Sequence, residues 1–219
     1  MSEATGRRYA VLVPVKRPAV AKSRLGRLGD DARADLAVAF AGDTVAAALD
    51  CPAVHRVLAV TDDHVLAAGL RDLGADVLPD GTSDDLNGTL EQAAAEMHRR
   101  DPELWLVALC ADLPALRPGE LAAALGAAAA TGMSFVADQE GLGTTMVVAA
   151  DLPSFRPAFG AGSRAHHLAQ GAHEIEAADA PTLRRDVDDP ANLAEAVELG
   201  VGPRTALVAA VLGLSRSLP

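Results

Sequence analysis

Aromatic side chains are nearly missing from this chain. They make up 3% of its 219 residues, while apolar residues as a whole make up 50%. The core must therefore be packed from Ala, Val and Leu, and the abundant alanine favours helices in a layered fold. Cysteine is equally sparse. Cys51 and Cys110 are the only two, too few for a disulfide framework and without zinc-site spacing. Long apolar runs are absent as well. The N-terminal stretch "YAVLVPV" is broken by Pro14 and followed by Lys16. It is too short for a signal segment, and nothing reaches membrane-spanning length. Positive charge is also short: 19 Lys and Arg against 30 Asp and Glu leave a net charge of −11. That balance provides no basic footprint for duplex nucleic acid. The expectation is a cytoplasmic protein that acts on small molecules, with neither nucleic acid nor membrane as partner.

What remains is a strongly alternating pattern. Residues 9–15 read as a buried strand, 30–50 as a helix with an acidic first turn, and 55–61 as a second strand. Residues 62–74 read as a helix ending on Gly74, 75–80 as a short strand and 84–100 as a helix. A strand follows at 104–110, then a helix at 117–131 whose interior contains the alanine run 127–130. Alternation of this kind predicts an α/β fold with a mostly parallel sheet and helices on both faces. In the second half "SFVADQ", "GTTMVVA", "HEIEAAD" and "LRRDVD" read as strands that add antiparallel or edge members. A helix near 162–171 has Ser163 as its N-cap, and helices at 190–199 and about 203–214 close the chain. No repeat or linker divides it, so one domain is expected over residues 9–219 behind a short extension, residues 1–8.

Four stretches carry residues suited to chemistry. In an open α/β sheet, ligands sit outside the carboxyl ends of the strands. The loop leaving strand 1, "KRPAVAKSRLGRLG", carries Lys16, Arg17, Lys22, Arg24 and Arg27. The chain has only two lysines, and both are here. Lysine is a compact point charge on a flexible stem, suited to a phosphate that moves during reaction; a simply solvated cationic loop is the competing reading. The spacing does not match a P-loop. At the end of strand 104–110, "CADLP" delivers Asp112, either as a ligand for a divalent cation or as a turn aspartate bonding its own backbone. In "LRRDVDDP", a strand over 183–188 would place Asp186 and Asp188 on one face, roughly 7 Å apart along the strand. Like charges so placed call for a cation or a proton. Asp189 followed by Pro190 is instead a helix start. Finally, glycines at 141, 143, 160 and 162 let backbone amides approach an anion, with a hairpin turn and an ordinary helix start as the plain alternative. His166, His167 and His173 receive no role.

Together "VLVPVKRPAVAKSRLG", "DDLNGTLEQA", "ALCADLPAL", "GTTMVV", "FGAGSRAHHLAQGAHEI" and "LRRDVDDPANLAEA" resemble one family over about residues 9–202. It is the guanylyltransferase family of coenzyme F-420 biosynthesis: the 2-phospho-L-lactate guanylyltransferases and their bacterial phosphoenolpyruvate-using relatives. The resemblance implies a Rossmann-like nucleotidyltransferase fold. It also implies transfer of GMP from GTP to the phosphate of a three-carbon phospho-acid, with magnesium as cofactor, two ions in the expected arrangement. In the bacterial branch the acid is phosphoenolpyruvate and the product is enolpyruvoyl-diphospho-5'-guanosine. By position, Asp112, Asp186 and Asp188 are then the expected metal ligands, and Thr145, Gly160 and Ser163 the phospho-acid contacts. Lys16, Lys22 and Arg24 are the expected triphosphate contacts, with Asp112, Lys16 and Lys22 as the catalytic set. Asn87 and Gly88 would lie near the nucleotide base. A labile product further implies hand-off to the next transferase of that pathway.

Other readings stay open on the residues alone. The acceptor could be 2-phospho-L-lactate, 3-phosphoglycerate, a sugar phosphate or a pterin. A glycosyltransferase on a similar sheet would normally carry its D-x-D at a middle strand, whereas here D-x-D falls at 186–188 and the mid-chain motif is "ADLP". A non-catalytic nucleotide-binding module is the third class.

Overall fold

The structure is a computed structural model that describes residues 6–15, 29–81 and 85–214. Lys16, Lys22 and Arg24 lie outside the described residues. The element order is β1 (Tyr9–Pro14), α1 (Asp30–Leu49), β2 (Val54–Val60), α2 (His64–Asp72), β3 (Asp76–Leu78), α3 (Leu86–Arg100), β4 (Trp105–Leu109) and α4 (Pro118–Gly126). There follow β5 (Met133–Ala137), β6 (Thr144–Ala149), α5 (Ser163–Ala169), β7 (His173–Glu174), α6 (Pro181–Arg184), α7 (Pro190–Leu199) and α8 (Pro203–Val211).

The strands form one sheet in the order β3-β2-β1-β4-β6-β5-β7. Pairings β1/β2, β2/β3, β1/β4 and β5/β7 are parallel, and β6 runs antiparallel to both β4 and β5. The chain first winds outward from β1 through β2 to β3, then crosses to β4 on the other side of β1. The β1/β4 junction is therefore a topological switch point, where an open α/β sheet leaves a crevice at its carboxyl edge.

Strands covered on both faces must be apolar throughout, and β1 shows why its sequence reads as a continuous run. Tyr9, Val11 and Val13 pack into one core with α1, α2 and α4. Ala10 and Leu12 pack into the other, with Leu90, Ala93 and Met97 of α3. A third cluster joins Leu36 and Phe40 of α1 to Val187 and to Leu193 of α7. The scarcity of aromatics has the expected outcome: Phe40 and Phe135 are the largest fully buried side chains, and the rest of that group is Leu and Met. No described helix is long and apolar enough to cross a membrane.

Four local expectations are corrected. The alanine run 127–130 is not helix interior: α4 ends at Gly126, and Ala129 donates its amide to Ser134 Oγ as the chain turns toward β5. Glycine is a poor helix residue, and the following alanines do not outweigh the need to turn. Ser163 is not the N-cap of α5; Gly162, at φ 70, is. The strand expected in "HEIEAAD" shrinks to His173–Glu174. Residues 183–188 are not a strand either. Pro181 starts the short helix α6, and the chain then runs outside the sheet. Its alternation is real but has another cause: Leu183, Arg185 and Val187 are buried while the residues between them are not. Packing of Val187 against α1 and α7 produces the period of two without a ladder.

The helix starts expected from the sequence are otherwise found. Asp189 caps α7 by accepting from Ala191 and Asn192, and Asn192 completes a capping box. Asp63 caps α2, and Asp85 caps α3.

Candidate active site

A cavity of about 280 Å³ opens at the β1/β4 switch point. Pro14 and Val15 line it from the end of β1, and Ala108 to Asp112 from the end of β4 and beyond. Phe40 of α1, Leu86 and Leu90 of α3, Phe159 and Asp188 close the remaining sides. Most of this lining is apolar, with two carboxylates set into it, the usual composition of a small-molecule site.

Asp112 reaches the cavity because the chain beyond β4 is threaded through neighbouring elements. Thr44 of α1, fully buried, donates its hydroxyl to Ala111 O at 3.2 Å and accepts from Leu113 N at 3.1 Å. Residues 111–113 are thus clamped on both sides of Asp112. The main chain of Asp112 then fixes the second carboxylate: Val187 N donates to Asp112 O at 3.0 Å. With Val187 anchored in the third core cluster, Asp188 is carried to the cavity wall. Its own amide and that of Asp189 both donate to Asn192 Oδ1, at 3.2 and 3.3 Å. Asp112 and Asp188, distant in sequence, therefore share one pocket.

Asp186 lies on the same loop but does not line the cavity. Among the described residues no group of three His, Cys, Asp or Glu side chains is close enough to hold a metal. The donor set nevertheless fits magnesium. Mg²⁺ is typically held by one or two carboxylates and completes its octahedron with water and substrate phosphates, without a closed protein cage. Two carboxylates lining one cavity match that arrangement. They are also the only charged groups among the described lining residues. A polyphosphate entering such a pocket requires cations to accompany it.

A second group of expected site residues lies around 158–163; Phe159 lines the cavity, whereas Gly160, Ser163 and Thr145 do not. Gly160 has φ 130 and Gly162 φ 70, conformations that side-chain-bearing residues rarely adopt. They fold the chain so that Ser163 N donates to Gly160 O at 3.1 Å. Ser163 is buried. Thr145, at the start of β6, is fully buried, and its carbonyl accepts from Cys110 N at 2.9 Å, which places it beside the end of β4. Its hydroxyl has no hydrogen-bond partner among the described residues.

Asn87, expected near the nucleotide base, lies at the start of α3. Its side-chain amide clasps the backbone of Phe159: Nδ2 donates to Phe159 O at 3.1 Å and Oδ1 accepts from Phe159 N at 2.8 Å. Gly88 donates its amide to the capping Asp85 at 3.0 Å. His167 is a group that sequence reading passed over. It is fully buried, with ring nitrogens 3.0 Å from Thr144 Oγ1 and 3.0 Å from Ala158 N. Burial, with the neighbouring His166, holds its pKa down to about 4. Arg185, 5% exposed, pairs with Glu140 and Glu195 at 2.6 and 2.7 Å, tying the β5–β6 loop and α7 to the segment that bears Asp188. Arg185 and Thr44 are indistinguishable in sequence from any other Arg or helical Thr. For His167 the one available signal was its place beside "FGAGS".

Comparison with known proteins addresses the family and the fold. The model of a family described as guanylyl transferase CofC like matches residues 9–215. A phosphoenolpyruvate guanylyltransferase from Thermomonospora curvata is 50% identical over 202 residues, covering 92% of this chain and 89% of that protein. One from Streptomyces coelicolor is 49% identical, covering 93% and 97%. Among solved structures, a nucleotidyl transferase from Methanothermobacter superposes with a TM-score of 0.59 at 17% identity, covering 84% of this chain and 94% of that one. A CMP:2-keto-3-deoxy-manno-octonic acid synthetase solved with CTP gives 0.52 at 13%, covering 86% and 96%. At these identities the structures speak for the Rossmann-like fold alone. The family model and the two relatives reach further, and the chain belongs to the guanylyl transferase CofC-like family.

Proposed function

We propose that this protein transfers GMP from GTP to phosphoenolpyruvate, giving enolpyruvoyl-diphospho-5'-guanosine and diphosphate. The observation that carries this reading is the identity of about half of all residues with proteins named for that reaction, over nearly their whole length. The site agrees chemically. An oxygen of the acceptor phosphate attacks the α-phosphorus of GTP, the bond to the β-phosphate oxygen breaks, and diphosphate leaves. The acceptor is already an anion, so no general base is needed, and the described cavity wall contains neither His nor Lys. The barrier is the approach of two polyanions, which positioning and charge neutralisation must lower.

In this reading Asp112 and Asp188 hold magnesium at the cavity wall, with Asp186 as the third expected ligand on the same loop. When bound, the metal neutralises phosphate charge and helps align the reacting oxygens. Thr145, Gly160 and Ser163 hold the phospho-acid; the buried Thr145 hydroxyl has no other partner among the described residues. Lys16, Lys22 and Arg24 serve the triphosphate and the leaving diphosphate. Asn87 and Gly88 lie near the nucleotide base, with the Asn87 side chain also bonded to the Phe159 backbone.

Mass spectrometry of the product tests the proposal, with GTP, magnesium and an equimolar mixture of phosphoenolpyruvate, 2-phospho-L-lactate, 3-phosphoglycerate and a sugar phosphate. The expected product is the guanylylated enolpyruvate. A guanylylated lactate or glycerate as the main product would reassign the acceptor, and a sugar nucleotide would remove the reading altogether.

A further inference from the structure

The turn at 158–163 is held from two sides. From α3, Asn87 clasps Phe159. From α5, His167 accepts the adjacent amide of Ala158 on Nε2. A nitrogen that accepts a backbone N–H carries no proton of its own, so in the neutral ring the proton is on Nδ1. Nδ1 then donates to Thr144 Oγ1 at the start of β6, one residue before Thr145. The ring is enclosed by Phe135, with centroids 5.4 Å apart, and by Phe159, at 5.7 Å in an edge-on arrangement. With no exposure and both nitrogens engaged, it is in no position to exchange protons with substrate.

We propose that His167 is a positioning residue for the acceptor: it couples the turn carrying Gly160 and Ser163 to the strand start carrying Thr145. This rests on the reading of those three residues as the phospho-acid contacts. Among the described residues the histidine is the single side chain that bonds to both halves, with the turn on Nε2 and β6 on Nδ1. Phe159, which packs on the ring, also lines the cavity, so a shift of the turn is felt at the site. The arrangement depends on one tautomer. If Thr144 loses its hydroxyl, the bond from the ring to β6 is lost.

Steady-state diphosphate release by the full chain, varying phosphoenolpyruvate and GTP separately, tests this. His167→Leu is expected to raise KM for phosphoenolpyruvate about tenfold, the size of one lost hydrogen bond, while KM for GTP stays within about twofold. His167→Gln, whose side-chain oxygen can still accept from Ala158, should recover most of that loss. Thr144→Val, nearly isosteric, should move the same KM in the same direction and covers the case in which His167→Leu fails to fold. An unchanged KM for phosphoenolpyruvate in a folded His167→Leu or Thr144→Val variant would overturn the proposal, as would equal rises for both substrates, which mark a packing role only. If the wild type itself shows no release with phosphoenolpyruvate, the acceptor reading falls and this inference with it. Normal wild-type release with unaffected variants overturns the inference alone.

Discussion

Asp112 and Asp188 are both positioned through the main chain, and that makes their removal informative. Both reach the cavity through backbone hydrogen bonds, at Thr44, Val187 and Asn192, that an Asn side chain leaves intact. Asp188→Asn is therefore expected to lower turnover at saturating GTP and magnesium by at least about a hundredfold, with thermal unfolding nearly unchanged, since removing one such charge costs the transition state several kcal/mol. Near wild-type turnover would dissociate Asp188 from the metal. His167 gives a second residue-scale prediction. Its folded pKa is about 4 against an ordinary value of 6.5, so between those values the unfolded chain takes up a proton that the folded chain refuses. Its contribution to stability is present at neutral pH, falls as the pH drops below about 6.5 and levels off near 4. Urea denaturation at several pH values should show a smaller loss on acidification for His167→Gln than for the wild type.

At the scale of elements, two helix starts matter for different reasons. The capping box of α7 lies directly behind Asp188. Asp189→Ala removes the acceptor for Ala191 N and Asn192 N and is expected to cost about 1 kcal/mol in chemical denaturation. The start of α8 is capped from another helix. Asp43 of α1, buried, accepts from Arg204 N at 3.2 Å and Thr205 N at 2.8 Å. Asp43→Ala leaves those amides without that acceptor and is expected to destabilise by roughly 2 kcal/mol, with little effect on KM for either substrate. These two starts show how unevenly the elements were legible. Asp189-Pro190 could be read directly, because a local cap is written in adjacent residues. The link from Asp43 to α8 could not, because its partners are 161 and 162 positions away. Residues 183–188 failed in the opposite way: a true alternation of burial was read as a strand, though periodicity reports which faces are covered and not whether a ladder exists.

At the scale of the molecule, the sheet and the metal reading make separate demands. Chelation by EDTA is expected to abolish diphosphate release and added magnesium to restore it, while the melting temperature shifts by less than about 2 °C, because two wall carboxylates are not a structural metal site. A large loss of stability on chelation would indicate a metal built into the fold. The sequence by itself determined the α/β class, nearly every element, the cap of α7 and the clustering of both lysines behind β1. All of these follow from composition and from patterns that repeat within a few residues. Only the tertiary structure decided that β4 pairs with β1 and so creates the switch-point cavity. Only it decided that Asp112 and Asp188 meet there while Asp186 stays off its wall. Asn87 and His167 were likewise assigned to the turn at 158–163 by the fold alone. These are contacts between residues far apart along the chain, set by which faces pack together. No local period records that choice.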